Sequence, residues 1–389
     1  MTPWKPVEVA ERHQVLDLLR GIALFGVLLV NLLYFFRLHL FTHILNFHSH
    51  PGALNHAIDL FVAEFVEFKA FDAFAMTFGI GLAIQADRSA ARGISTGLFL
   101  ARRCLVLLAI GTVHMVLVSN VDILMMYGLC GLMAIPLLRL PPMGLAAAGL
   151  AAIYLPSIPG GWLQIPASVT TPESVERATH IYATGGFVTI TAFRWHETQH
   201  WILPLLAGVA QQAFGLMLIG AAVWRSGLVV NPARHRRQLW TFSLVAGTIG
   251  FVNSTGPVLS RIGLQTIQVP VLGILGTDVP IALAYIAALL AWPRTGNPST
   301  FATALAAAGR MALTNYLTQS LVFGVLFNGY GFGLFGKLDQ QTATALGIAV
   351  YCIQLWFSAW WLNRYRFGPC EWAWRSATYG RPQPMRLAG

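Results

Sequence analysis

The sequence predicts an all-α integral membrane protein, a single bundle of about ten transmembrane helices. Of the 389 residues, 56% are hydrophobic and only 10% are charged, whereas soluble domains usually carry about 25% charged residues. So few charges predict that lipid, rather than water, surrounds much of the exterior. The apolar residues also come in long blocks, near the roughly 20 residues that a helix needs to cross about 30 Å of hydrocarbon.

The apolar blocks, taken in order, give the predicted spans. The first block is too long for a cleaved signal peptide and has no small-residue cleavage site close behind it, so we expect a retained helix. No fixed-period repeat and no long linker divides the chain, which favours one integral domain over residues 1–389. The predicted spans lie near residues 16–36, 59–85, 98–119, 121–138, 142–157, 202–224, 239–257, 270–292, 303–332 and 341–363.

The distribution of basic residues predicts the orientation. If the N-terminus lies inside, fifteen Lys and Arg residues fall in cytoplasmic segments and five in outer segments, as the positive-inside rule requires. An even number of spans then puts both termini in the cytoplasm and makes residues 37–56 and 157–201 extracytoplasmic loops. We interpret the net charge of +10 as this topology signal. No nucleic-acid partner is expected, because no basic patch interleaves with aromatic residues.

Ionisable side chains inside the predicted spans are the first functional candidates, because a charge in hydrocarbon is costly. Asp17 and Arg20 share a helix face, and a local ion pair at the membrane edge is the simplest alternative for them. We expect Asp17, Arg20 and Arg310 to converge on one internal polar cluster, and Lys69 to pair with a carboxylate at helical spacing. The structural polar cluster is predicted to contain Asp17, Lys69, Asp72, Asp122, Asn315 and Gln319.

One motif of soluble enzymes also occurs. Residues 196–200 read H-E-T-Q-H, and on a helix this H-E-x-x-H pattern places two zinc ligands beside a general base. A zinc metalloprotease acting through His196, Glu197 and His200 is therefore a minor alternative. Against it, the motif precedes a span instead of lying in a clear helix, and downstream carboxylates that could complete the site are scarce. We expect no metal.

Several segments together resemble the YeiB-like family, the domain of unknown function numbered 418. The match covers nearly the whole chain, and Cys370 and Ala373 stand where the family motif has leucines. The resemblance implies the inner (cytoplasmic) membrane of a bacterium. The matching motifs are L-D-L-L-R-G-I-A at 16–23 followed by Asn31, T-F-G-I-G-L at 77–82, H…D-I-L…Y-G at 114–128, G-R-M-A-L-T-N-Y-L-T-Q-S at 309–320 and G-P-C-E-W-A-W-R at 368–375.

The opening motif is also similar to that of the transmembrane acyltransferases, which include heparan-α-glucosaminide N-acetyltransferase. In those enzymes D-x-x-R-G begins a span, and Asn or the catalytic His follows eleven residues after the arginine. Asn31 holds that position here. In the glucosaminide branch a catalytic His comes about eleven residues later still. His43 lies twelve residues beyond Asn31, so the resemblance implies catalytic roles for Asn31 and His43.

Acyl transfer from acyl-CoA requires a cationic pocket for the phosphates, a base for the acceptor and donors for an oxyanion. The base is His43, His39 or His114, since histidine titrates near neutral pH, and Asn31 is the candidate oxyanion donor. These residues favour transfer from cytoplasmic acyl-CoA to an extracytoplasmic or envelope acceptor such as a glycan. The candidate phosphate ligands, near the cytoplasmic side, are Arg20, Arg102, Arg103 and Arg310.

Two other classes of function use the same buried charges. A transporter or exporter of a small amphipathic solute would use them as a permeation path, although the sequence shows no inverted repeat and no paired broken helices. A membrane scaffold without catalysis would need them only for packing. Thermal stabilisation by acyl-CoA would favour the enzyme, whereas flux into proteoliposomes without an acyl donor would favour the transporter.

Overall fold

The computed structural model describes residues 14–45, 52–155, 167–261, 278–293 and 298–387. Across these residues the chain is all-α, and its β-structure is limited to an isolated bridge between Tyr365 and Arg386. The helices are α1 Gln14–Asn31, α2 Leu40–Leu45, α3 Ala53–Phe65, α4 Lys69–Ala91, α5 Thr96–Leu117, α6 Ile123–Ala134, α7 Pro142–Tyr154, α8 Pro172–Thr184, α9 Phe187–Glu197, α10 Leu203–Arg225, α11 Arg236–Arg261, α12 Asp278–Ala291, α13 Thr300–Arg310, α14 Ala312–Phe327, α15 Gln340–Leu362 and α16 Pro369–Tyr379.

Four helical segments within the described part of the chain are long and apolar enough to cross a membrane: Gln14–Phe36, Thr96–Leu117, Leu206–Arg225 and Gln340–Leu362. The first combines α1 with a π-helical turn, Leu32–Phe36. Shorter apolar helices, among them α6, α7, α12 and α14, accompany them. A lipid bilayer is the environment that such helices fit. The predicted class, an all-α membrane protein, agrees with this architecture.

Close packing against small residues fixes α1 inside the bundle. A Cβ added at Gly309 of α13 would collide with the carbonyl oxygen of Asp17, and one added at Gly21 would collide with the carbonyl oxygen of Leu305. On the α4 side, a Cβ at Gly26 would lie 2.5 Å from the Cβ of Ala70. Small residues let helix backbones approach this closely. The start of α1 and the end of α13 are therefore held side by side.

Two of the predicted spans, 59–85 and 303–332, are each divided between two helices. In the first, α3 ends at Phe65 and α4 begins at Lys69, with Phe68 at a positive φ of 57°. Carbonyl groups freed by this break find donors, because Lys69 Nζ lies 3.1 Å from the oxygen of Ala63 and the Tyr285 hydroxyl donates to Phe65 at 3.4 Å.

The second break lies at Met311, between α13 and α14, where φ is −106° and ψ is 29°. Glu371 accepts the backbone N–H of Thr314 at 3.1 Å, so a carboxylate from α16 caps the first turn of α14. Tertiary contacts thus replace the hydrogen bonds that each break removes. Neither break is indicated by the sequence.

The segment predicted as a loop at 157–201 is largely helical where the structure describes it, since it contains α8 and α9. Helix α9 continues through a π-helical turn, Thr198–Ile202, directly into α10. The H-E-x-x-H residues therefore lie in helix, contrary to the sequence prediction. The continuous helix over 187–225 is about 58 Å long at 1.5 Å per residue, well beyond the roughly 30 Å of hydrocarbon.

Candidate functional site

A cavity of about 250 Å³ lies among α1, α4, α5, α6, α13, α14 and α16. One part of its lining is strongly cationic, with six arginines against two acidic residues, Asp17 and Glu371. The other part is apolar and aromatic. This division suits a ligand with an anionic head and an apolar group. The arginines are Arg20, Arg88, Arg103, Arg310, Arg366 and Arg375, and the apolar part includes Phe74, Phe78, Leu107, Leu124, Tyr127, Leu313 and Tyr316.

Asp17, Arg20 and Arg310 all line this cavity, which confirms their predicted convergence. Arg20 Nη1 donates to Asp17 Oδ1 at 3.1 Å, so the local ion pair is also present. The close approach of Gly309 to Asp17 brings the neighbouring Arg310 beside α1. Arg310 Nε has no hydrogen-bond partner among the described residues. The cluster thus contains a guanidinium N–H that is buried without an acceptor among these residues.

Arg103 and Arg102 are adjacent in sequence but differ in position. The guanidinium carbon of Arg103 lies 3.7 Å from the ring centroid of Trp374, and this arginine lines the cavity. Arg102 is exposed and is not among the cavity residues. Successive residues of an α-helix are turned by about 100° around its axis, so the two side chains leave different faces. The prediction that Arg102 joins the phosphate site is not supported by this geometry.

Helix α16 forms one wall of the cavity and is anchored by Glu371. Its carboxylate accepts the Thr314 hydroxyl at 2.6 Å and the Thr314 backbone N–H at 3.1 Å. Burial raises the pKa of Glu371 above its ordinary value, and the two hydrogen bonds from Thr314 partly oppose this rise. The anchor places Trp374 and Arg375 of the same helix against the cavity.

A buried histidine–carboxylate pair lies behind the aromatic end of the cavity. His114 Nδ1 and Asp122 Oδ2 are 2.7 Å apart, and Asp122 also caps α6 by accepting from the N–H of Met125. The hydroxyl of Tyr316, a cavity residue, lies 3.4 Å from Asp122 Oδ2. Within the described part of the chain, His114 Nε2 has no hydrogen-bond partner. Asp122 thus fixes one ring nitrogen of His114, and the other lies buried without a hydrogen-bond partner in the same part of the chain.

The other catalytic candidates lie elsewhere. His39 Nε2 contacts Glu197 Oε1 at 2.8 Å, in a buried network that also includes Tyr182 and Asn120. Asn31 ends α1 and is not among the cavity residues. His43 belongs to α2, and its side chain lies outside the part of the structure described. Of the three histidines named from the sequence, His114 is the one whose described contacts lead to the cavity.

The H-E-x-x-H residues point in different directions. Glu197 is buried and accepts hydrogen bonds at 2.5 Å from Tyr182 and 2.9 Å from Asn120. His196 and His200 are exposed, and their rings stack with centroids 4.0 Å apart. Over the described residues, no group of three or more His, Cys, Asp or Glu side chains is suited to hold a metal ion. The glutamate therefore serves the buried network instead of facing the two histidines.

The predicted structural polar cluster is divided into separate groups. Lys69 pairs with Asp278 of α12 at 2.5 Å, so the expected partner at helical spacing is wrong. Asp72 accepts from Gln212 at 2.7 Å. Further along the bundle, Asn315 donates to Ser358 and Gln319 donates to Gln354. These contacts join different helices, which hydropathy does not predict.

Sequence reasoning missed several cavity residues. Arg88, Arg366 and Arg375 were counted only among the cytoplasmic charges, and all three line the cavity. Arg88 and Arg366 each lie just beyond the end of a predicted span. Tyr316 and Trp374 occur inside two of the family motifs but carry no charge, so the search for costly ionisable groups passed over them. The recurrence of arginine at the same ends of several spans was the available signal.

The fold and this cavity define an all-α protein with membrane-type helices and an arginine-lined internal site. The chain belongs to the YeiB-like family of proteins of unknown function, DUF418, whose family model matches residues 223–381. It is 30% identical to the uncharacterized protein YxaH of Bacillus subtilis, over 99% of this chain and 98% of the relative.

Two further bacterial relatives also align with this chain over nearly their whole length. The uncharacterized protein YeiB of Escherichia coli is 30% identical over 97% of this chain and 98% of its own length. An uncharacterized 39.9 kDa protein of Bacillus acidopullulyticus is 28% identical over 98% of each. No solved structure matches the chain significantly.

Proposed function

We propose that the protein is an integral membrane acyltransferase that moves an acyl group from cytoplasmic acyl-CoA to an extracytoplasmic or envelope acceptor such as a glycan. The observation that carries this proposal is the composition of the cavity. Six arginines line one part, and its aromatic part ends at Tyr316, which contacts the Asp122–His114 pair. An anion site, an apolar site and a candidate base are thus adjacent.

The donor fits this arrangement by charge and by polarity. Coenzyme A carries several phosphate groups, and arginine binds phosphate through two parallel hydrogen bonds. Arg20 and Arg310 are brought together from α1 and α13, and Arg103 joins them from α5. The acyl group, which is apolar, is accommodated by the aromatic part of the cavity.

In the proposed reaction a single proton moves from the acceptor hydroxyl to His114 and then to the thiolate that leaves. The acceptor hydroxyl attacks the thioester carbonyl carbon while His114 Nε2 takes its proton, and Asp122 holds the opposite ring nitrogen. The Tyr316 hydroxyl is the donor for the oxyanion in place of Asn31, because Tyr316 lines the cavity. When the C–S bond breaks, His114 returns the proton to the thiolate of coenzyme A. The products are the acylated acceptor and free coenzyme A.

We also propose ten spans, both termini in the cytoplasm and the inner membrane of a bacterium as the location. The arginines near the start of α1 and α5 and near the end of α4 and α13 line one cavity, as expected if these helix ends share the cytoplasmic side. Reporter fusions after Arg381 should report a cytoplasmic C-terminus. A reporter that is active only on the outer side would contradict this topology.

Binding of coenzyme A to the purified full-length chain tests the donor site. Arg20→Ala and Arg310→Ala should each weaken binding, measured by calorimetry, by roughly 10- to 150-fold, since a charged hydrogen bond contributes about 1.5–3 kcal/mol. Arg102→Ala is the matched control and should bind like the wild type, because Arg102 is exposed away from the cavity. If the wild type binds neither coenzyme A nor acyl-CoA, the enzyme proposal fails.

The two interrupted helices favour a second candidate, a transporter or exporter of a small amphipathic solute. Both breaks adjoin α1, because Gly26 packs against Val66 and Ala70 and Gly309 packs against Asp17. Discontinuous helices are typical of substrate sites in transporters. Flux of an amphipathic anion into proteoliposomes without any acyl donor would support transport, and acyl release detected by mass spectrometry would support the enzyme.

A further inference from the structure

A second group of ionisable side chains lies at the break between α3 and α4, outside the arginine-lined cavity. Ala70 packs against Gly26, near the middle of the segment Gln14–Phe36, so the group is level with the interior of this apolar helix. Lys69, only 4% exposed, lies 2.5 Å from Asp278 Oδ1 and 3.1 Å from the carbonyl oxygen of Ala63. The ammonium group of Lys69 therefore interacts with both a carboxylate and a carbonyl oxygen at the break.

Asp72, one turn along α4 from Lys69, is completely buried, with 0% exposure. Its Oδ1 accepts a hydrogen bond from Gln212 Nε2 at 2.7 Å. Its Oδ2 has no hydrogen-bond partner among the described residues. An ionised carboxylate with one neutral donor in an apolar interior is strongly disfavoured, whereas the protonated carboxyl costs much less.

The surroundings supply one cation for several acids. Asp278 of α12 takes Lys69, and Glu64 of α3 has a buried oxygen that lacks a partner in the described structure. The hydroxyl of Tyr127 on α6 donates to the Phe71 carbonyl instead of to Asp72. Tyr154 of α7 also lies close enough to interact electrostatically with Asp72. Protonation of Asp72 leaves Lys69 and Asp278 as a neutral pair.

We propose that Asp72 is a proton-binding site, and that release of its proton transfers Lys69 from Asp278 to Asp72. Lys69 and Asp72 are three residues apart and share a helix face, so the exchange needs only a change of the lysine rotamer. Asp278 can remain ionised after losing Lys69 because its side chain is 29% exposed. The exchange removes the ion pair that links α4 to α12.

The site is thus a proton-sensitive contact between α4 and α12 at a broken helix. With Asp72 protonated, Lys69 bridges the two helices. With Asp72 ionised, Lys69 pairs with Asp72 inside α4. Helix α12 then loses its ion pair with α4. This inference does not rest on acyl transfer, since Lys69, Asp72 and Asp278 do not line the arginine-lined cavity.

Infrared difference spectroscopy of the purified full-length protein tests the protonation directly. The wild type should show the carbonyl stretch of a protonated carboxyl that disappears in Asp72→Asn. Asp87→Asn is the matched control, because Asp87 is an exposed acid on the same helix, and should leave that band in place. A spectrum of Asp72→Asn without any lost band would overturn the proposal.

Two more variants test the exchange of partners. In Asp278→Asn, Lys69 loses its ion-pair partner and can turn to Asp72 on the same helix face, so the band should be lost although Asp72 is still present. In Lys69→Met, Asp278 loses its cation and the band of Asp72 should persist. Persistence of the band in Asp278→Asn would show that Asp72 does not respond to Lys69.

A measurement on the folded wild type guards against misfolded variants. Raising the pH should remove the band and increase hydrogen–deuterium exchange in α12, after correction for the intrinsic pH dependence of exchange. In Asp72→Asn, where this site cannot release a proton, exchange in α12 should stay at the low-pH level. Equal exchange in wild type and variant across the titration would overturn the coupling between the proton and α12.

Discussion

Trp374 holds Arg103 through two separate contacts. The guanidinium carbon lies 3.7 Å from the indole centroid, while the indole N–H donates to the carbonyl oxygen of Arg103 at 3.0 Å. One side chain of α16 therefore positions both the backbone and the cation of a residue on α5. The C-terminal helix consequently helps to organise the cavity as well as to enclose it.

Trp374→Ala should weaken binding of coenzyme A by roughly 2- to 30-fold, because a cation–π contact contributes about 0.5–2 kcal/mol. Trp374→Phe keeps a ring beneath the guanidinium and should fall between the wild type and the alanine variant. Trp372→Phe is the control, since the Trp372 indole donates to Gln383 and does not line the cavity. Unchanged affinity in Trp374→Ala would show that Arg103 needs no such support.

His114→Ala should lower acyl turnover by about 10²–10⁴, the usual share of general base catalysis, and leave binding of coenzyme A intact. The measurements are acyl release by mass spectrometry and binding by calorimetry on the same preparation. His196→Ala should keep full turnover, because His196 is exposed and does not line the cavity. Full turnover in His114→Ala would exclude this histidine as the base.

Gly309→Ala should destabilise the protein by about 1–3 kcal/mol, since the added methyl group collides with the Asp17 carbonyl oxygen. Thermal unfolding in detergent measures this loss. Gly97→Ala in α5 is the control, because no atom lies within 4 Å of its added Cβ. There the substitution should be neutral or raise stability by up to about 1 kcal/mol through helix propensity. Equal unfolding temperatures for the two variants would contradict the close packing of α1 and α13.

Glu371 should make stability depend on pH. Burial raises its pKa in the folded state, so the folded protein binds this proton more tightly than the unfolded chain. The free energy of unfolding should therefore fall as the pH rises from about 4.3, the ordinary pKa of glutamate, through the raised folded value. Glu371→Gln should remove this part of the dependence, as measured by unfolding over that range. Glu173→Gln, which removes an exposed acid, should retain it.

Hydropathy and charge predicted the helical class and the approximate position of the main spans. They did not predict the breaks, because neither residues 66–68 nor position 311 is occupied by proline or glycine. Each break depends on distant partners: Tyr285 meets the end of α3, and Glu371 caps α14. These contacts join segments that are far apart in the sequence, so no local sequence pattern indicates them.

The site was predictable only in part. The free-energy cost of a buried charge led to the correct prediction that Asp17, Arg20 and Arg310 lie close together. The same argument did not identify the partner of Lys69, because Asp278 lies on another helix, far along the chain. It could not separate Arg103 from Arg102 either, since both are arginines at the same depth and only helix rotation distinguishes them.

The pairing of α1 with α13 has a consequence for how the chain is made. The surface of α1 that receives Gly309 is synthesised about 290 residues before its partner. During that interval the narrow groove beside Asp17 and Gly21 must be occupied by lipid or by a temporary protein neighbour. Arg20 then lacks Arg310 as a neighbour. The cavity therefore forms late in translation, and a nascent chain that stops before α13 lacks one of its walls.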